Sequence, residues 1–183
     1  MELDVSERIY KCVVAGEGGV GKTTLIRRLI EGRFVEGIKM TIGTALATHS
    51  LDVTSPDPKI GTQHMKFSIW DFAGEKRFRF FLPQYAKGAM GVILVYDLTR
   101  YATFEHLDEW FEILSENTPD GAVFVLVGAK KDMEKNRAVS TEQAEAWQRA
   151  HDVFAFVETS SKTGENNRKI FETLALEILR RTP

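Results

Sequence analysis

The residues with the plainest chemistry are Gly16-Glu17-Gly18-Gly19-Val20-Gly21-Lys22-Thr23. The spacing Gly-x4-Gly-Lys-[Ser/Thr] suits a loop whose glycines let successive backbone N–H groups turn inward onto a polyphosphate. Lys22 offers a mobile positive charge to the terminal phosphates, and the Thr23 hydroxyl offers an oxygen to a magnesium ion. The flanks matter more than the pattern. An apolar run, Ile9–Ala15, leads into the loop, and Leu25, Ile26, Leu29 and Ile30 follow at the spacing of one helical face. Strand, loop and helix N-terminus together make an anion site, because unpaired N–H groups and the helix dipole favour phosphate. These loop residues and the adjacent Thr24 are the candidate nucleotide contacts.

Such a loop has to be held by a sheet, and the sequence supplies one. The runs 92–96, 123–127 and 153–157 are continuous and β-branched or aromatic, as in strands buried on both faces. Between them Phe104, Leu107, Trp110, Phe111 and Leu114 share one helical face. Ser140-Thr141-Glu142-Gln143 is a capping box for a helix running to about residue 150. Ile170, Phe171, Leu174, Ala175, Ile178 and Leu179 mark a last helix. The region 44–70 has no helical face; Met65, Phe67 and Ile69 alternate with Lys66 and Ser68. It reads as two antiparallel strands joined by a turn around Ser55-Pro56-Asp57-Pro58 and Gly61. The expectation is an α/β fold: a mostly parallel six-stranded sheet with one antiparallel edge strand and helices on both faces. Nucleotide would bind at the carboxyl ends of the strands.

At 183 residues the chain is expected to be one domain, spanning 1–183. A formal net charge of −2 gives no general attraction for nucleic acid or anionic membrane. The lone Cys12 sits inside the first apolar strand, so no disulfide framework exists, which suits a reducing cytosol. Met1-Glu2-Leu3-Asp4 is acidic and has no long apolar run, unlike a signal peptide or a membrane span. The four histidines have no ligand-like spacing.

A second chemical stretch is Trp70-Asp71-Phe72-Ala73-Gly74. An aspartate at a strand's carboxyl end, downstream of a phosphate loop, can hold magnesium. Gly74 would let a backbone N–H approach the terminal phosphate. On these residues alone a plain Asp-x-x-Gly turn remains open.

Taken in order, the glycine loop, Thr41-Ile42-Gly43, Trp70-Asp71-Phe72-Ala73-Gly74, Lys130-Lys131-Asp132 and Thr159-Ser160-Ser161-Lys162 resemble the Ras-like small GTPases. Trp70, Arg77-Phe78 and the run from Glu158 to Asn166 look closest to the Rab branch. The resemblance implies a switch hydrolysing GTP to GDP with Mg2+, Thr23, Thr41 and Asp71 serving the metal. It implies Glu75, Lys22, Gly74 and Thr41 around the reacting phosphate, and Phe34, Lys130, Asp132, Ser160, Ser161 and Lys162 around the guanine. For Phe34, packing beside the first helix is the other reading. The segments around Thr41 and Gly74 would be held by the terminal phosphate and released without it.

Three departures stand out. Ala129 replaces the asparagine of the family's Asn-Lys-x-Asp pattern, which predicts weaker guanine binding. Glu75 replaces the usual glutamine, so intrinsic hydrolysis is expected to be slow. The hairpin is several residues longer than usual, either as neutral variation or as a partner contact. Leu46, Trp70 and Tyr85 match an aromatic effector-reading patch, with Leu46 in place of phenylalanine and core packing of Trp70 as the other reading. Effector, exchange-factor and GTPase-activating proteins are the implied partners of a cytoplasmic monomer. The chain carries no lipidation motif, so either a tail lies beyond it or membranes are reached only through partners. Besides the switch, a nucleotide-bound interaction module with little hydrolysis stays open. An ATP-using enzyme is disfavoured, because the Asp132 carboxylate pairs with guanine's two donors and adenine has no such pair.

Overall fold

In a computed structural model describing residues 8–182, the first apolar run becomes β1 (Ile9–Ala15) and lies in the middle of a six-stranded sheet. The other strands are β2 (Thr44–Thr54), β3 (Thr62–Phe72), β4 (Gly91–Asp97), β5 (Val123–Ala129) and β6 (Ala155–Glu158), in the order β2-β3-β1-β4-β5-β6. Only β2 and β3 pair antiparallel, so the edge strand is the reversed one, as expected. The chain leaves β1 towards β2 on one side and crosses to β4 on the other. A crevice opens at such a reversal, at the carboxyl ends of the strands.

Alternating side chains of β1 feed two cores. Cys12 and Val14 pack with α1 (Lys22–Glu31) and α6 (Asn167–Arg181), where Leu25, Ile26, Ile170, Phe171 and Leu174 are buried. Val13 and Ala15 face the opposite layer, built by α2 (Leu82–Ala86), α4 (Leu107–Asn117) and α5 (Thr141–Ala150). There Leu82, Trp110, Leu114 and Ala144 close the core. Each fully buried large apolar side chain contributes roughly 1.5–3 kcal/mol, so both faces help to hold the sheet against its helices. Among the described residues no helix is long and apolar enough to cross a membrane.

The hairpin registers Leu51 against Met65 and Thr54 against Thr62. Its turn is closed by Ser55 N donating to Gly61 O (3.0 Å) and by the Asp57 carboxylate accepting from Lys59 N (2.9 Å). The capping box forms as read, Gln143 N donating to Ser140 Oγ and Ser140 N to Gln143 Oε1. Two boundaries differ. The helical face from Phe104 to Leu114 is split at His106 into α3 (Tyr101–Glu105) and α4, a break that periodicity does not report. The last strand begins at Ala155, because Val153 N is drawn back to Gln148 O and Asp152 adopts a left-handed turn. Two 3-10 helices, Lys76–Phe81 and Lys131–Asn136, carry no apolar period and were not expected. The acidic Met1–Asp4 stretch lies outside the described residues.

Candidate functional site

The glycine loop leaves β1 by crossing the carboxyl end of β4. A Cβ on Gly16 would lie 2.1 Å from the Val95 carbonyl, so only glycine permits that crossing. The loop ends in Gly21, which caps α1, and Lys22 opens the helix. Gly18, Gly19, Gly21, Lys22, Thr23 and Thr24 border a cleft of about 520 Å³. Gly16, Glu17 and Val20 stand behind it, Val20 buried in the core. The Lys22 ammonium is buried and donates to Gly16 O (2.8 Å) and Glu17 O (2.7 Å). Burial pushes it down to about 8, against the pull of Asp71 and Glu17. A desolvated ammonium satisfied by loop carbonyls is a ready partner for an anion entering the cleft.

Three oxygen donors from separate elements meet beside it. Thr23 comes from the first turn of α1, Thr41 from the connection to β2, and Asp71 from the end of β3. Thr23 donates to Asp71 Oδ2, Thr41 donates to the same oxygen at 3.3 Å, and the two hydroxyls lie 2.7 Å apart. The remaining oxygen, Asp71 Oδ1, is buried without a hydrogen-bond partner among the described residues. Burial raises the pKa of this carboxyl, and the threonine hydrogen bonds and Lys22 only partly offset it. A carboxylate and two hydroxyls with an acceptor to spare suit a small hard cation, so magnesium fits these residues.

Phe34 and Lys130 also line the cleft. Lys130 takes a left-handed backbone (φ 70°), rare for a residue with a side chain and a mark of local strain. Its ammonium bonds Gly19 O (3.0 Å) and Asp97 Oδ2 (2.7 Å). Asp97 also holds the Arg100 Nε (3.0 Å), and Arg100 Nη2 reaches Gly18 O (2.8 Å). One buried carboxylate thus steers two cations onto successive carbonyls of the phosphate loop. Burial opposes its charge, yet hydrogen bonds from Lys130 and Thr99 hold it below the usual carboxylate range.

Backbone bonds from Thr159 N to Gly128 O and from Lys131 N to Thr159 O bring the 159–162 loop beside Asp132. Ser160 Oγ donates to Asp132 Oδ1 at 2.6 Å, and Ser161 Oγ accepts from Asn167 Nδ2 at 3.3 Å. Asp132, Ser160, Ser161 and the exposed Lys162 do not border the cleft.

Gly74 borders the cleft, and a Cβ there would sit 2.1 Å from Gly18 N, so glycine alone allows this approach. Glu75 does not border it; its carboxylate pairs with Arg77 Nε at 2.7 Å. Leu46 lies opposite Trp70 across β2 and β3, and the Trp70 and Tyr85 rings are 5.4 Å apart. Leu46 is exposed and the two aromatics half-buried, so the trio shares one surface. Sequence reasoning missed Asp97, Arg100 and Arg79. Asp97 and Arg100 had a signal, charged residues just past an apolar strand; Arg79 had none.

The Ras family model matches residues 11–180. Among curated relatives, the Ras-related protein RABA1g of Arabidopsis thaliana is 40% identical over 94% of this chain and 76% of its own. The Ras-related protein Rab-13 of Rattus norvegicus is 37% identical over 96% and 83%, and the Ras-related protein Rab11B of Nicotiana tabacum 39% over 96% and 77%. Fold, motif order and these likenesses agree: the chain belongs to the Ras family of small GTPases, on its Rab branch.

Proposed function

We propose that this chain is a single-domain, monomeric switch that binds GTP and GDP and hydrolyses GTP to GDP with Mg2+. The observation that carries it is the meeting of Thr23, Thr41 and Asp71 beside a buried Lys22, with Asp71 Oδ1 still unpartnered among the described residues. Magnesium bound there would neutralise charge on the terminal phosphates. Lys22 would leave the loop carbonyls for phosphate oxygens, and the loop N–H groups would hold them. Phe34 and Lys130 would flank the base. Asp132, oriented by Ser160, would accept from guanine's ring N–H and exocyclic amine, with Ser161 and Lys162 in support. Thr41 and Gly74 would bring the two switch segments to the γ-phosphate, where effectors, exchange factors and activating proteins read them. The protein would work in the cytosol and reach membranes through partners.

A second reading, a nucleotide-bound interaction module with little hydrolysis, draws on the Glu75–Arg77 pair, which keeps that carboxylate off the cleft. One experiment separates the readings: single-turnover hydrolysis of GTP and ATP at saturating Mg2+ by the native protein, Glu75→Ala and Asp132→Ala. The switch reading expects slow GTP turnover, slower still in Glu75→Ala. Asp132→Ala should weaken GTP by about 2 kcal/mol or more, since guanine donors lose their acceptor. Tight GTP binding with no measurable turnover in any of the three supports the module. ATP bound as well as GTP overturns both.

A further inference from the structure

The second switch segment buries a cation that none of the chemistry above requires. Arg79, in the 3-10 helix Lys76–Phe81, has a side chain only 11% exposed. Its Nη2 donates to Glu17 of the phosphate loop and its Nη1 to Glu109 of α4. The guanidinium lies 4.5 Å over the ring of Trp110, which is fully buried. His106, at the break between α3 and α4, brings Nδ1 within 3.2 Å of the Glu17 oxygen that Arg79 holds. A planar fork that also stacks on an aromatic face suits two carboxylates and an indole at once, which an ammonium does not.

This contact ties three elements together. The pairing rests mostly on Glu17: Arg79 Nε and Trp110 Nε1 have no hydrogen-bond partner among the described residues, and of the two carboxylates Glu17 is the more buried. Removing Glu17 leaves a buried charge poorly paired, and the arginine then gains by moving out to water. The near end of the same stretch is fixed independently. Gly74 packs on Gly18, and Ala73 N donates to Gly43 O at 2.8 Å. Residues 75–78, Glu75 among them, therefore span two anchors on one phosphate loop.

We infer that Arg79 is a positioning residue: its ion pair with Glu17 fastens the Glu75-bearing stretch to the phosphate loop, and breaking that pair releases the segment. The consequence for hydrolysis rests on the switch reading, whereas the latch itself does not. The test is amide hydrogen exchange on the full chain, with no nucleotide and again with GDP and Mg2+. Arg79→Ala should speed exchange across residues 75–86 by about tenfold or more and leave α6 unchanged. Glu17→Gln should match it, and Glu109→Gln should do less, because Glu109 is half-exposed and water replaces it. Arg79→Lys should restore part of the protection through its charge on Glu17. GDP affinity of Arg79→Ala should stay within about threefold of native, since the guanidinium lies outside the cleft. Unchanged exchange at 75–86, equal acceleration in α6, or a GDP affinity falling in step with exchange would each overturn the latch. If Arg79→Ala does not fold, Glu17→Gln decides by the same readout. A native protein that binds no GDP sinks the switch reading, and the nucleotide-free exchange still decides the latch.

Discussion

At position 129 the chain has alanine where the family pattern has asparagine, and the sequence alone argues for a looser guanine site. The surroundings supply other ties. Lys130 and Arg100, both held by the buried Asp97, already tie the base-side segment to Gly19 O and Gly18 O. Each is a charge-assisted bond, stronger than the neutral amide tie that an asparagine at 129 would make. Arg100 is partly exposed, so solvent screens some of its contribution. Arg100→Ala should therefore weaken GDP by about 0.5–1.5 kcal/mol, about a two- to thirteenfold loss in competition binding. Ala129→Asn should improve affinity more in the Arg100→Ala background than in the native chain, since the ties are partly redundant. Equal gains in both backgrounds would show that Arg100 is not a substitute tie. The charge at 97 and the cation at 100 were visible in the sequence. That they converge on one loop depends on β4 lying beside β1, and single positions cannot show that.

Elements were legible where one physical rule governs a whole segment. Met65, Phe67 and Ile69 alternate because β3 has one fully buried face, and Ser140 with Gln143 announces α5 through a local hydrogen-bond exchange. His106, at the helix break, and Arg79, in its 3-10 helix, meet distant residues, Glu17 and Trp110, and such contacts leave no local trace. The candidate site divides the same way: the phosphate loop and each of Thr23, Thr41 and Asp71 lie in short contiguous motifs, while Arg79 is a tertiary event. A similar event supports the base-side loop. Arg137 makes two bonds to the Glu158 carboxylate (2.7 and 2.9 Å), and Thr141 Oγ1 adds a third (3.0 Å), joining the start of α5 to the end of β6. Burial works against the Glu158 charge, but these partners win and hold its pKa below the ordinary 4.5. A depressed carboxyl stabilises fully above its unfolded pKa and loses that contribution as pH falls through the folded one. Glu158→Gln should thus cost about 1–3 kcal/mol in urea denaturation at pH 7. The gap to native should narrow only below about pH 4.5. A gap that persists unchanged down to the acid limit would mean the cost lies in packing, not charge.

On the scale of the whole molecule, the two cores and the cleft are different kinds of structure. The cores flank the sheet and hold it by apolar burial, whereas the cleft is walled by loops that converge from β1, β3, β5 and the connection into β2. Among those loops Lys22 bonds loop carbonyls and Thr23 and Thr41 crowd Asp71 Oδ2, while Asp71 Oδ1 has no partner among the described residues. A ligand that replaces those internal bonds with better ones binds the folded chain alone, so its affinity becomes fold stability. At a hundred times its dissociation constant the gain is about 2.7 kcal/mol. For a chain near this length, 1 kcal/mol shifts Tm by about 2–4 °C. GDP or GTP with Mg2+ should therefore raise Tm by roughly 5–10 °C, and ATP at equal concentration by far less. Chelating magnesium should remove part of the gain, and more of it for GTP than for GDP, because an ion held by Thr23, Thr41 and Asp71 would offset the extra negative charge of GTP's terminal phosphate. Thr23→Asn disturbs the metal donors without touching Asp132, so its GTP shift should be small and insensitive to chelator. If native and Thr23→Asn proteins show the same chelator-sensitive shift, the metal is held elsewhere, and the meeting of Thr23, Thr41 and Asp71 is only a hydrogen-bonded knot between three elements.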